Sequence, residues 1–260
     1  MASYGICQLT MIPVRKDPAE RSEMTTQLLF GETVEILDKK GSWSYVKCHL
    51  DNYKGWLTTG MLNALSADEF NKYKNAQKAF LKEPVCRVLS PETNLPVTYL
   101  AGGSTLLIHD RNQIQFGDHI LSLENDAELR YPDGPVDITG TAKKYWNTPY
   151  MWGGRTIFGI DCSGFTQVVF KINGISLPRD AHQQAEMGKT VNSVEEAKPG
   201  DLAFFNREDG KIIHVGIILE NQGIIHSLGR VRIDQLDHKG IYDTKLKIHL
   251  HNLRIIKRIL

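Results

Sequence analysis

The sequence has little that would direct it to a membrane or to nucleic acid. Its 31 basic residues are balanced by 30 acidic residues, so we expect neither nucleic acid nor a membrane as a partner. No run of about 18 apolar residues is present to cross a bilayer. The first residues lack the charged and apolar segments of a signal peptide. We therefore expect a cytoplasmic protein for the chain as given, or a periplasmic or secreted one if a signal was trimmed.

Cysteine is also scarce. The 260 residues contain four cysteines that stand far apart: Cys7, Cys48, Cys86 and Cys162. Because no CxxC spacing occurs, we expect no metal site. We also expect no cofactor. Cys7 and Cys48 could meet on neighbouring strands, but a chain without an export signal usually stays in a reducing compartment, so we expect free thiols.

A glycine-rich stretch at residues 153–165 combines a helix start with a single thiol. Asp161 is a good N-cap residue, and the apolar residues from Phe165 to Ile172 follow helical spacing. Cys162 therefore lies in the first helical turn, where free N–H groups and the helix dipole favour a thiolate. The alternative is a buried, inert thiol, which is common for free cysteine. We expect a nucleophile with a pKa lowered by the helix end and by a histidine.

Two histidines lie downstream on a predicted β-hairpin. His214 is in the β-rich run 211–219, and His226 is in the run 223–227 after a short turn. An odd-numbered loop would place both side chains on one face and an even-numbered loop on opposite faces, and the register stays open. Cysteine, histidine and a polar residue in this order match the nucleophile, base and orienting residue of papain-like enzymes.

Four motifs give these residues a family context. They read YMWGG (150–154), DCSGF (161–165), PGDL (199–202) and HVGI (214–217). Residues from about 136 to 260 resemble the NlpC/P60 family of bacterial cell-wall cysteine peptidases. The resemblance implies an α+β papain-like domain with Cys162, His214 and His226 as catalytic residues. It also places the hydroxyl of Tyr150 beside the substrate, near the oxyanion donor that the Cys162 N–H would supply.

The rest of the chain predicts two small barrels before this domain. Residues 1–64 contain short β-rich runs separated by turn residues, which is typical of an all-β barrel, and they resemble a bacterial SH3-like domain. A helical linker or insert is predicted over 65–82, with the helix at 67–80. A second, degraded SH3-like barrel is predicted over 83–130, and the peptidase domain over 131–260. A final strand is predicted at 245–250.

The order of domains resembles one branch of the family, the γ-D-glutamyl-L-diamino acid dipeptidyl-peptidases. Residues 22–30 are additional to a simple barrel, and by themselves they predict a helical turn with a solvated glutamate. The resemblance instead implies that Glu23 and Tyr53, together with Asp161, hold the free amine of an N-terminal L-alanine. A buried ammonium needs such partners because leaving it unpaired costs several kcal/mol.

The segment PRDAHQQ at 178–184 also resembles the family. It implies that Arg179 and Asp180, with Ser163, line the subsite for D-glutamate. Ala181 replaces the serine or threonine that is common there. Six further histidines are predicted to lie outside the site: His109, His119, His182, His238, His249 and His251.

The predicted function is hydrolysis of the γ-D-glutamyl-L-diamino acid bond of murein peptides with a free N-terminal L-alanine. This reaction would release L-Ala-D-Glu during murein peptide recycling, with L-lysine or diaminopimelate as the third residue and a monomeric enzyme. One alternative is a secreted endopeptidase that cuts intact cell wall and uses its SH3-like domains as wall anchors. A second alternative is a module that binds muropeptides without catalysis.

Overall fold

The computed structural model describes residues 3–110, 112–117, 119–124, 127–131 and 133–260; the remaining residues of the predicted domains lie outside this description. Strands form the largest part of its regular secondary structure. The α-helices are α1 (Ala67–Asn75), α2 (Ile138–Lys143), α3 (Cys162–Ile172) and α4 (Ala181–Gln184). No helix within the described ranges combines the length and apolar character needed to span a membrane.

The first sheet contains seven antiparallel strands in the order β3-β2-β6-β5-β4-β1-β7. They are β1 (Ser3–Ile6), β2 (Met11–Arg15), β3 (Met24–Leu29), β4 (Thr33–Lys40), β5 (Trp43–Cys48), β6 (Lys54–Thr58) and β7 (Asn63–Leu65). Alternate residues of β5 are buried, which is the pattern of a strand with one face on a core. Cys7 and Cys48 lie in this core as free thiols. Where the residues alone predicted a helical turn within 22–30, the structure has strand β3, because Thr26 to Leu29 are buried against the sheet.

The second sheet also contains seven strands, in the order β10-β9-β13-β12-β11-β8-β14. They are β8 (Lys78–Leu81), β9 (Val85–Leu89), β10 (Pro96–Ala101), β11 (Thr105–Asp110), β12 (Gln113–Phe116), β13 (His119–Leu123) and β14 (Leu129–Arg130). Helix α1 begins with a capping box between Ser66 and Glu69. It ends at Asn75 and does not extend to residue 80 as predicted. Strand β8 follows inside the predicted linker, because Ala79 and Leu81 alternate into the core of the second sheet.

The third sheet closes into a six-stranded barrel. Its order is β17-β23-β18-β19-β20-β21-β22, and β22 also pairs with β23. The strands are β17 (Lys189–Val191), β18 (Leu202–Asn206), β19 (Ile212–Ile218), β20 (Gly223–Leu228), β21 (Arg230–Leu236), β22 (Gly240–Asp243) and β23 (Ile248–Arg258); a short pair, β15 (Arg155–Thr156) and β16 (Gly159–Ile160), precedes helix α3. The predicted last strand at 245–250 is displaced, because β23 begins at Ile248 and continues to Arg258.

Helix α3 packs its apolar residues into the core beside β19 and β20. Phe165, Val168 and Val169 are fully buried there with Val215 and Ile225. The predicted helix over 162–172 is confirmed, and it ends at Asn173, before Gly174 with φ of 81°. This packing places the first turn of α3 against strand β19, which carries His214.

A buried ion cluster joins the first sheet, which is the first barrel of the chain, to the domain that contains helix α3 and the third sheet. Glu32 accepts hydrogen bonds from Arg155 at 2.8 and 2.9 Å and from Lys171 at 2.6 Å. All three side chains are at most 5% exposed. Burial would raise the pKa of Glu32, but the charges of Arg155 and Lys171 outweigh it and lower the pKa to about 2. The first barrel is therefore held against strand β15 and against helix α3, which carries the thiol.

Candidate active site

Cys162 begins helix α3, and Asp161 caps this helix. One carboxylate oxygen of Asp161 accepts the N–H of Gly164 at 2.7 Å, and the other accepts the N–H of Gly153 at 2.8 Å. Gly153 has φ of 74°, and a Cβ there would lie 2.3 Å from the carbonyl oxygen of Met24 on β3. Only glycine fits between the loop and the first barrel at this point. The cap thus fixes both the thiol and the loop that approaches it.

The two predicted histidines lie on one face of the hairpin formed by β19 and β20. Gly216 on β19 pairs directly with His226 on β20. His214 lies two residues before Gly216, so its side chain is the diagonal neighbour of His226 on the same face. A three-residue turn closes the hairpin, with the N–H of Leu219 donating to the carbonyl of Gly223 at 2.7 Å. The loop therefore has an odd number of residues, which is the alternative that places both histidine side chains on one face. A Cβ on Gly216 would lie 2.9 Å from that of His226, so glycine leaves the room that this pair needs.

The histidines form a hydrogen-bonded chain that continues to an aspartate. His214 Nε2 lies 2.8 Å from His226 Nδ1, and His226 Nε2 lies 2.9 Å from Asp234 Oδ2. Asp234, on β21, was not among the predicted site residues. The signal that could have found it is the strand alternation after the hairpin, which puts Arg232 and Asp234 on one face.

His251 is a second residue that sequence reasoning placed outside the site. Its ring stacks on the ring of His214, with centroids 4.6 Å apart and planes 22° apart. It lies on β23, which reaches His214 through strand β18. The ring is half-buried, and burial lowers the pKa of His251. His226 thus hydrogen-bonds to a ring nitrogen of His214, and His251 stacks on the face of the same ring.

The thiol itself differs from the expected acidic group. Cys162 is 7% exposed. Its burial, followed by the charge of Asp161, raises its pKa to about 12, although backbone hydrogen bonds from Val215 and Ser163 and the charge of Arg179 act in the opposite direction. Burial, together with the other two histidines, lowers the pKa of His214 well below its usual range. The free site therefore holds a neutral thiol and a neutral imidazole. Val215 follows His214 in the chain, so the backbone hydrogen bond from Val215 places strand β19 beside the sulfur.

A groove of about 580 Å³ runs over the thiol. Of the predicted site residues, it is lined by Glu23, Tyr53, Tyr150, Asp161, Cys162, Ser163, Arg179 and Asp180. The first barrel contributes Glu23, and its carboxylate accepts a hydrogen bond from Trp152 Nε1 at 2.8 Å. This contact joins the barrel to the catalytic loop within the lining of the groove. Burial and the charges of Cys162 and Asp161 raise the pKa of Tyr150 to about 12, so its hydroxyl stays a donor.

Arg179 is positioned by its neighbours within the protein. Its guanidinium holds Asp161 with two bonds, at 3.0 and 2.6 Å, and donates to Ser163 at 2.9 Å and to Thr26 at 2.9 Å. Both members of the ion pair with Asp161 are buried. Arg179 thus ties the helix cap to strand β3, a contact that the family motif alone did not indicate. Within the described ranges, no cluster of three or more histidine, cysteine or acidic residues could hold a metal ion.

Comparison with known proteins agrees with this geometry. The model of the NlpC/P60 family matches residues 147–249, and that of the bacterial dipeptidyl-peptidase SH3 domain matches residues 14–62. A γ-D-glutamyl-L-lysine dipeptidyl-peptidase of Bacillus subtilis is 31% identical over 222 residues, which cover 78% of this chain and 71% of the relative. One of Bacillus cereus is 29% identical over 229 residues, which cover 79% and 68%.

The chain therefore belongs to the NlpC/P60 family of cysteine peptidases, and it carries a bacterial SH3 domain before the catalytic domain. A crystal structure of an NlpC/P60 family protein from Bacillus cereus covers 99% of both chains with a TM-score of 0.83 at 22% identity. This likeness supports the fold. The predicted family and fold class are confirmed, whereas the roles of single residues stay predictions.

Proposed function

We propose that the protein is a cysteine dipeptidyl-peptidase that cuts the γ-D-glutamyl-L-diamino acid bond of murein peptides with a free N-terminal L-alanine. The observation that carries the proposal is the groove over Cys162, which the first barrel helps to line through Glu23, whose carboxylate accepts a hydrogen bond from Trp152. We infer that this wall limits how many residues of a peptide fit on the amino-terminal side of the thiol. The names of the two Bacillus relatives agree with such a substrate.

The chemistry proceeds from the neutral pair. The Cys162 sulfur attacks the γ-carbonyl carbon of D-glutamate while its proton passes to His214. The N–H of Cys162 and the hydroxyl of Tyr150 stabilise the oxyanion, and the loss of one such donor typically costs about 2.7–4 kcal/mol in the barrier. The C–N bond then breaks, and His214 returns the proton to the departing amine. Water, deprotonated by His214, hydrolyses the thioester and restores the thiol.

The free amine is recognised by the part of the groove wall that the first barrel supplies. Glu23 supplies a carboxylate there, and Tyr53 supplies a hydroxyl whose pKa is raised by burial and by Asp180, so that it stays protonated. Asp161 adds negative charge, although its oxygens already accept bonds from Gly153, Gly164 and Arg179. An N-acylated alanine would bring no ammonium to these groups. It would therefore lose the charge-assisted hydrogen bond to Glu23, whose side chain is 43% exposed in the free protein.

The test is a mass-spectrometric digest of L-Ala-γ-D-Glu-L-Lys, its diaminopimelate analogue and the N-acetylated form of each. We expect release of L-Ala-D-Glu from the free peptides only, and no release by Cys162→Ser. Glu23→Gln should raise KM, whereas Glu20→Gln, an exposed change in the same barrel, should leave it unaltered. Equal rates on free and acetylated peptides would overturn the proposal.

We further propose that the enzyme acts as a monomer on released peptides in the cytoplasm. The buried free thiols of the first barrel fit a reducing compartment. Fractionation of the source cells tests the location. Recovery outside the cytoplasm, with clearing of purified sacculi by the enzyme, would instead favour a secreted endopeptidase acting on intact wall.

A further inference from the structure

Asp234 ends the hydrogen-bonded chain that starts at His214. It is 7% exposed. Its Oδ2 bonds to His226, while its Oδ1 accepts from Arg232 at 2.6 Å. The same nitrogen of Arg232 bonds to Asp243 at 2.7 Å. Burial would raise the pKa of Asp234, but the hydrogen bonds from His226 and Arg232 outweigh it and lower the pKa. Asp234 is therefore an ionised carboxylate at neutral pH.

An ionised carboxylate can only accept hydrogen bonds, and this decides where the protons of the two histidines lie. His226 Nε2 must carry a proton to donate to Asp234. Burial outweighs Asp234 and lowers the pKa of His226, so the ring is neutral and its Nδ1 is an acceptor. His214 Nε2 must then donate to that Nδ1. Nitrogen Nδ1 of His214 is left without a proton.

We propose that Asp234 is a positioning residue that sets the tautomer of His226 and, through it, that of His214. The proposal rests on the proposed peptidase function, because it gives His214 the lone pair at Nδ1 that accepts the Cys162 proton. Asp234 does not line the groove, so it acts on the base and not on the substrate. Arg232 keeps it charged and fixes its rotamer.

The geometry separates this role from simple support of the barrel. Asp234 lies opposite Ile224, and Arg232 lies opposite His226, so the carboxylate reaches the histidine diagonally across two strands. Four charged or titratable groups face His226: His214 on β19, Asp234 and Arg232 on β21, and His251 on β23. The interaction between His251 and His226 is electrostatic. Among these, Asp234 is the anion, and because a carboxylate only accepts hydrogen bonds, it imposes the Nε2–H tautomer on His226.

The direct test is the tautomer of His226 in the free wild-type protein, read from ¹⁵N chemical shifts and long-range ¹H–¹⁵N couplings. A proton on Nε2 is expected, and a proton on Nδ1 overturns the proposal. This readout needs no substrate and no variant. It therefore stays decisive if the protein cleaves no murein peptide, a result that would refute the proposed function alone.

The kinetic test is Asp234→Asn. The amide can donate to His226 Nε2, which would move the proton to Nδ1 and, in turn, protonate His214 at Nδ1. We expect kcat to fall about 10- to 100-fold with KM unchanged, less than the roughly 10⁴-fold cost of such a switch beside the base itself. Asp237→Asn is the matched control, because it removes an exposed bond to His249 in the same domain. Wild-type kcat and tautomer in folded Asp234→Asn would refute the role, as would an equal loss in the control.

Discussion

Replacing Glu32 by glutamine should strongly destabilise the protein without touching the groove. The change leaves the guanidinium of Arg155 and the ammonium of Lys171 buried at 2% and 3% exposure without their anion. Removal of one member of a buried ion pair typically costs about 3–5 kcal/mol. The pKa gives a similar figure: a fall from about 4.3 in the unfolded chain to about 2 in the folded one corresponds to about 3 kcal/mol of stability.

The pH dependence has a definite sign. Because folding lowers the pKa of Glu32, its contribution is fully present above about pH 4.3 and is lost as the pH falls through about 2. Urea unfolding should therefore separate wild type and Glu32→Gln widely at pH 7 and bring them closer below pH 4. Glu20→Gln, whose side chain is 75% exposed, should change stability by less than about 1 kcal/mol. A Glu32→Gln midpoint equal to that of wild type at pH 7, or a gap that does not narrow in acid, would refute the argument.

Two further predictions concern the thiol and the hairpin. The alkylation rate of Cys162 by iodoacetamide should rise continuously from pH 6 to pH 9, because burial keeps its pKa high; a plateau already reached near pH 6, with Cys86 still unreactive, would show the acidic thiol that the sequence predicts. Gly216→Ala should lower kcat at least about tenfold and stability by about 1–3 kcal/mol, because its Cβ would overlap His226; Gly60→Ala, where space is open, should change neither kcat nor thermal stability.

Much of the fold followed from local patterns in the sequence. The helix at 162–172 and the hairpin that carries His214 and His226 were predicted correctly, because helical spacing and β-rich runs report which residues are buried. The end of α1 and the start of β23 were not predicted correctly. Their ends depend on pairing with strands far away in the chain, and a pattern of local residues carries no information on that pairing.

The site was predictable where motifs were contiguous and unpredictable where the barrel brings distant strands together. Cys162 and His214 could be named from their motifs. Asp234 reaches His226 because β21 pairs with β20, and His251 reaches His214 because β23 pairs with β18, the neighbour of β19. Arg179 is similar: its motif suggested a substrate carboxylate, yet its bond to Thr26 exists because the first barrel packs on the groove.

The charge state of the thiol shows how packing can reverse an inference made from local structure. A helix N-terminus favours an anion by at most about 2 kcal/mol. The rise in the pKa of Cys162 from 9.0 to about 12 corresponds to about 4 kcal/mol against the thiolate. Burial therefore wins in the free enzyme, and the proton must leave during attack on the substrate. A base with a free lone pair at that moment is then essential, which makes the tautomer of His214 more important here than in an enzyme whose thiolate exists beforehand.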